Sequence, residues 1–142
     1  RLALDFGADI AVDPTTEDLS AIVLEETGGA GAQVVILCIG VPTLVNQALQ
    51  LAANRGRVSM FAGFPVNQNA EIDSNLIHYK ELSVVGSSNS TVPDYREAIR
   101  LIDTGQVETA KLVTHRFSLD QYLQAVEMMD HPSTLKVAIV PE

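Results

Sequence analysis

An α/β fold built on a parallel sheet is what this sequence predicts, and three observations carry that prediction. Two apolar runs, Gln33-Val34-Val35-Ile36-Leu37-Cys38-Ile39-Gly40 and Gly56-Arg57-Val58-Ser59-Met60-Phe61-Ala62-Gly63, each stop at a glycine. Both are almost continuously apolar rather than alternating, which reads as strands buried on both faces. A stretch of helical spacing, Pro42 to Asn54, lies between them, and strand, helix, strand in that order is a parallel βαβ unit. A third run, Leu82-Ser83-Val84-Val85-Gly86, repeats the pattern. The glycines fall at the carboxyl ends of the strands, where open parallel sheets bind ligands, and a missing side chain there lets a ligand approach the backbone.

The elements follow in order. Arg1-Leu2-Ala3-Leu4-Asp5-Phe6-Gly7 reads as the last turns of a helix reaching its C-cap, so the sequence is expected to be part of a longer product. Ile10-Ala11-Val12 is a short strand before Asp13-Pro14. Thr15 then caps a helix, with Asp18 in the capping-box position, Glu17 in the first turn, and Leu19, Ile22 and Val23 as the buried stripe. Gly28-Gly29 closes it. In the helix after Gly40, Pro42 stands at or near the first helical position, and Leu44, Val45, Ala48, Leu49 and Ala52 repeat at helical spacing. Ala70-Glu71-Ile72-Asp73 alternates as an exposed edge strand, and Asn75 to Lys80 makes one or two helical turns. Pro93 opens a helix with Tyr95, Ala98, Ile99 and Ile102 on one face, closed by Gly105. Lys111 to Phe117 is extended. Ser118 and Gln121 form a capping box for a helix whose Tyr122, Ala125, Val126 and Met129 face inward, and Lys136 to Val140 is a final strand.

Composition narrows the functions. The chain has 142 residues, 46% of them hydrophobic, which suffices for a core. Its net charge of −9 would repel a phosphate backbone, so nucleic acid is not the main partner. The single Cys38 lies in a predicted buried strand and reads as a core residue. No apolar stretch approaches the roughly 18–20 residues that span a bilayer, and a soluble cytoplasmic protein is expected. No G-x-G-x-x-G is present: Gly28-Gly29-Ala30-Gly31 precedes a strand and reads as a helix end and turn. His78, His115 and His131 have no Cys or carboxylate at ligand spacing, so no metal site is expected, and no G-x-S-x-G occurs. Spacing alone shows no catalytic machinery. What remains is three glycine-ended strands at Gly40, Gly63 and Gly86, the kind of edge against which a dinucleotide can lie.

An ordered set of short motifs then adds a resemblance. Phe6-Gly7-Ala8-Asp9, Cys38-Ile39-Gly40, Gly56-Arg57-Val58, Ala62-Gly63, Lys111 to Leu119 and Leu135-Lys136-Val137 occur in sequence. Together they resemble the carboxyl-terminal part of a zinc-type medium-chain dehydrogenase, on the sorbitol and threonine dehydrogenase branch, across essentially the whole chain. The resemblance implies a partial Rossmann domain, doubly wound and lacking its first strands, over residues 1–108, and a return to the GroES-like catalytic domain over 109–142. It implies NAD or NADP as cofactor. It also implies zinc in the parent enzyme, with its ligands outside this chain. Ile39 and Gly40 would flank the adenosine side of the cofactor. Ala62, Gly63 and Phe64 would lie beside the nicotinamide, Val85, Gly86 and Ser87 at the nicotinamide end, and Lys136 would reach the cofactor or its phosphates. Polyol-specific members tend to carry an Arg-Tyr pair where this chain has Ser87-Ser88, which puts sorbitol itself in doubt.

A sheet without its first strands has physical consequences. The segment at Ile10–Val12 loses its neighbour, and Val34–Ile39 exposes an apolar edge, while the remaining strands can still form a three-stranded sheet. The chain alone is therefore expected to be marginally stable or self-associating. A homo-oligomer joined through Glu71–Asp73 and the residues to Lys80 is expected. The function implied is hydride transfer between an alcohol or polyol and a nicotinamide cofactor. A non-catalytic nucleotide-binding or regulatory module is the alternative, and a different Rossmann-like enzyme such as a methyltransferase is a third.

Overall fold

The computed structural model describes residues 2–141. The chain divides between Asn89 and Ser90 into two compact units. In the first, a short helix α1 (Leu2–Asp5) and helix α2 (Leu19–Glu26) precede strand β1 (Ala32–Leu37). Helix α3 (Leu44–Leu51), strand β2 (Ala52–Met60), helix α4 (Ser74–Lys80) and strand β3 (Ser83–Gly86) follow. The strands form one sheet in the order β1-β2-β3, parallel throughout, so the expected mixed α/β fold with its parallel three-stranded sheet is present.

Register explains which residues are buried. Val35, Val58 and Val84 stand in one row across the sheet, and Leu37, Met60 and Gly86 in another on the same face. Helix α3 packs over β1 and β2, and α4 packs over α3 and β2. The core is built on that side from Leu37, Val45, Ala48, Leu49, Ala52, Val58 and Leu82. The other face carries the rows Val34–Arg57–Ser83 and Ile36–Ser59–Val85. Val34 and Ile36 are each 58% exposed, whereas Val58 is 0% exposed. Within the first unit the strands are thus covered on one face only, by α3 and α4, which corrects the expectation of burial on both; the expected apolar edge at β1 is present. Cys38 is corrected in the same way: it lies beyond the end of β1 and is exposed.

Other boundaries shift for local reasons. Residues 10–12 form no strand, and no described strand pairs with them. Thr15 does not cap α2. Asp13 Oδ1 takes both the backbone N–H and the hydroxyl of Thr15, at 3.0 and 2.6 Å, and Asp18 becomes the cap by accepting from Ser20 and Ala21 N–H. The α2 terminus is as expected: Gly29 N–H reaches Leu24 O and Gly28 N–H reaches Glu25 O, with Gly28 left-handed at φ +59°. The helix after Gly40 is shorter than predicted. It ends at Leu51 and runs directly into β2, whose register breaks between Ala52 and Arg57. Residues 70–73 form no edge strand. The Asn46 side chain bonds both Glu71 O and Asp73 N–H, at 3.0 and 2.9 Å, and takes the place a neighbouring strand would have filled.

In the second unit, helix α5 (Val92–Asp103) precedes strand β4 (Val113–Phe117), helix α6 (Tyr122–Met128) and strand β5 (Lys136–Ile139). Single 3₁₀ turns stand before β4 and α6. Strands β4 and β5 pair in parallel and α6 packs on both, a small βαβ crossover. Its only buried residue is Ala125; Tyr122, Val126 and Met129, expected to face inward, are exposed. So is the Tyr95, Ile99 and Ile102 stripe of α5. The expected caps are present: Ser118 N–H donates to Gln121 Oε1, and Gly105, left-handed, ends α5.

Candidate functional site

Three turns meet along the carboxyl edge of the β1-β2-β3 sheet. The chain leaves β1 at Leu37 and folds tightly through Ile39 and Gly40, where Val41 N–H bonds back to Ile39 O at 3.0 Å. It leaves β2 at Met60, and Ala62 N–H bonds Leu37 O at 3.0 Å, which carries the pairing one step past the strand ends. The two turns touch. A β-carbon placed on Gly40 would lie 2.1 Å from Gly63 O, a separation that only glycine allows. The third turn is held by Ser87 N–H, which reaches Met60 O at 3.4 Å, and by the pairing of Gly86 with Met60.

This arrangement brings Ile39, Gly40, Ala62, Gly63, Phe64, Val85, Gly86 and Ser87 to one edge of one sheet. Ile39, Val85 and Gly86 are exposed, while Phe64 turns back onto the core. A β-carbon added to Gly63 or Gly86 would meet no atom within 4 Å, so bare backbone faces open space. None of the eight carries a charge, so recognition here would rest on peptide groups, the Ser87 hydroxyl and apolar contact. Lys136 belongs to the second unit, where it opens β5; it is exposed, and its carbonyl accepts from Thr114 Oγ1 at 3.3 Å.

Carboxylates with shifted acidity stand elsewhere. The Thr15 hydroxyl and N–H hold Asp13 below its usual range, and the Thr91 hydroxyl and N–H do the same to Asp94. Arg100 lowers Glu97 and is itself raised in return. Among the described residues no three His, Cys, Asp or Glu side chains come together in a group that could hold a metal ion. No helix among them is long and apolar enough to cross a membrane.

Two supporting side chains were not read from the sequence. Asn46 pins residues 71–73 to α3. Lys80 Nζ donates to Leu49, Gln50 and Ala52 O, at 3.3, 2.7 and 2.8 Å, and so closes the carbonyl end of α3. In sequence both are polar residues on helices, with no pattern to single them out.

A parallel three-stranded sheet with glycine turns along its carboxyl edge makes this an α/β protein. The sequence pattern of the zinc-binding dehydrogenases matches residues 1–104, and the chain belongs to that family. It is 31% identical, over 144 residues, to the sorbitol dehydrogenase of Halalkalibacterium halodurans, covering 99% of this chain and 41% of that protein. It is 32% identical to the L-threonine 3-dehydrogenase of Caldanaerobacter subterraneus, with 99% and 41% covered. Among solved structures, a protein from Sinorhizobium meliloti 1021 assigned as a zinc-binding dehydrogenase and bound to NADP superposes with a TM-score of 0.84 at 31% identity, over 98% of this chain and 41% of that one. An alcohol dehydrogenase from Thermotoga maritima superposes with a TM-score of 0.90 at 23% identity, over 99% and 40%, and shows the shared fold. The chain spans about 41% of the length of the curated relatives it matches.

Proposed function

We propose that this chain is the cofactor-binding and closing part of a zinc-dependent, NAD(P)-linked alcohol or polyol dehydrogenase that moves hydride between a secondary alcohol and nicotinamide. The observation that carries this reading is the bare backbone at Gly63 and Gly86 beside the Gly40–Gly63 contact. A flat ring can lie against such an edge, where a side chain would hold it off. Bound NAD(P) supplies the hydride acceptor or donor. The chain's part is to bind and orient it. Ile39 and Gly40 would take the adenosine side. Ala62, Gly63 and Phe64 would lie beside the nicotinamide, their peptide groups holding its carboxamide. Val85, Gly86 and Ser87 would flank the nicotinamide end, and Lys136 would meet the cofactor or its phosphates. The NADP held by the Sinorhizobium meliloti relative supports a nicotinamide nucleotide as ligand.

On this reading residues 1–108 form the incomplete dinucleotide-binding domain and 109–142 return to the catalytic domain. Zinc would be held by residues of the parent protein outside this chain. The parent would be a cytoplasmic homo-oligomer joined through the nucleotide-binding domain, and the exposed Ile72 lies on the surface proposed for that contact.

NADH fluorescence tests the binding step. The expected result is saturable enhancement on adding the chain, abolished by Gly63→Val, whose side chain would fill the open edge. Enhancement that survives Gly63→Val unchanged would overturn the site, and a parent protein that reduces NAD(P) with no alcohol would overturn the activity.

A further inference from the structure

At the other end of the same sheet, where the strands begin, the surface is concave and basic. A depression of about 370 Å³ is lined by Gln33, Val34, Asn54, Arg55, Arg57 and Ser83. It contains two guanidinium groups and no carboxylate, in a chain where acidic residues outnumber basic ones by 18 to 9. Arg55 is committed in part: its Nε donates to Glu81 Oε2 at 2.8 Å. The side chains of Arg57, Gln33, Asn54 and Ser83 have no partner among the described residues. Arg57 and Ser83 are register partners across β2 and β3, on the face opposite α3 and α4, so the two side chains rise from neighbouring positions in one row.

The backbone is folded to present them. Between Ala52 and Arg57 the register with β1 breaks, Arg55 sits left-handed at φ +61°, and a β-carbon on Gly56 would lie 2.8 Å from Ala53 O. A non-glycine residue held in that region is strained and occurs where the surroundings require it. Here the tight fold turns Asn54, Arg55 and Arg57 to the rim of one depression. A planar guanidinium fork, two amides and a hydroxyl, all able to donate, suit an oxyanion with several acceptor oxygens.

From this geometry we propose a second ligand site, distinct from the cofactor edge, that takes a phosphate-sized oxyanion on Arg57, Ser83, Gln33 and Asn54. Either free phosphate or the phosphate of a monoester has the matching chemistry. The test is a titration of the full 142-residue chain, isotope-labelled, with inorganic phosphate and separately with glycerol phosphate at constant ionic strength. Saturable shifts are expected at Arg57 and Ser83, and tighter binding of the ester than of phosphate would identify a metabolite rather than the free ion. Arg57→Gln should weaken binding at least about tenfold, Arg57→Lys by less, and Arg96→Gln on α5 not at all. Saturating NADH should leave the affinity unchanged. Shifts that do not saturate, an Arg57→Gln variant that binds as well as the original chain, an equal loss in Arg96→Gln, or displacement by NADH would each overturn the proposal.

Discussion

The α-carbon of Gly40 faces the carbonyl of Gly63 so closely that a β-carbon would stand 2.1 Å from the oxygen. Neither residue needs glycine for its dihedral angles, since neither has positive φ. The requirement at Gly40 is one of space. Gly40→Ala must therefore push the two turns apart, with an expected loss of about 1–3 kcal/mol in stability from overpacking. Urea unfolding should show a lower midpoint at an unchanged slope, and an unchanged midpoint would mean that the turns are not packed together in solution.

Gly63 makes the complementary case. Open space surrounds its β-carbon position, so Gly63→Ala should leave the unfolding midpoint within experimental error. NADH affinity should fall nonetheless, because the methyl would stand where the ring is proposed to lie. The pair separates a packing glycine from a binding glycine: one variant loses stability, the other affinity. Equal NADH affinity in Gly63→Ala and the original chain would argue against the ring lying there.

Lys80 gives a stability prediction with a different origin. Its ammonium group gathers three carbonyls at the end of α3. Lys80→Met keeps the length of the side chain and removes the donors, leaving part-buried acceptors without their cation. A loss of about 1–3 kcal/mol is expected, in the range for hydrogen bonds to a charged group. Denaturant unfolding compared between Lys80→Met and Arg96→Gln, an exposed cation on α5, checks that the effect belongs to this position.

These variants also show where sequence reading reaches its limit. The parallel order of the strands and the turns at Gly40, Gly63 and Gly86 were legible, because apolar runs and terminal glycines are local signals. The strand expected at Ile10–Val12 was not, since a strand exists only with a partner and its pattern cannot say whether one is present. Burial on both faces failed for a related reason: Val34 and Ile36 have the composition of a covered strand, but α3 and α4 lie on the opposite face. Competing caps within a few residues were also undecided. Thr15 and Asp18 both have capping chemistry, and it is Asp13, by occupying Thr15, that leaves the role to Asp18. Asn46 and Lys80 were out of reach because their partners lie 25 to 31 residues away in the chain.

The start of α5 should respond to pH. Asp94 Oδ2 accepts from the Thr91 hydroxyl at 2.6 Å and from Thr91 N–H at 2.7 Å, and these bonds lower its pKa in the folded chain. A carboxylate whose pKa is lower folded than unfolded contributes stability above its unfolded value, about 3.9 for aspartate. That contribution is lost as pH falls through the lower, folded value. The Thr91 amide signal should thus titrate below the usual aspartate range, with loss of helix at its first turn. Asp94→Asn should remove the transition, and a Thr91 amide that titrates at the ordinary aspartate value would refute the cap.

The open face of the sheet leads to a prediction about association. Val34 and Ile36 project from β1 on the uncovered side, in rows with Arg57 and Ser59, and β1 is an edge strand with an unpaired backbone. An exposed apolar edge of this kind templates pairing with another chain. Charging it should break the contact at little cost, because Ile36 is already more than half exposed and its removal from the surface opens no cavity. Ile36→Glu is expected to shift the chain toward monomer in light scattering, with its unfolding midpoint almost unchanged. Ile72→Pro, on the surface proposed for the oligomer of the parent, gives the contrast. If Ile36→Glu has no effect and Ile72→Pro dissociates the chain, association runs through residues 70–73 and the bare face of β1 is not what drives it.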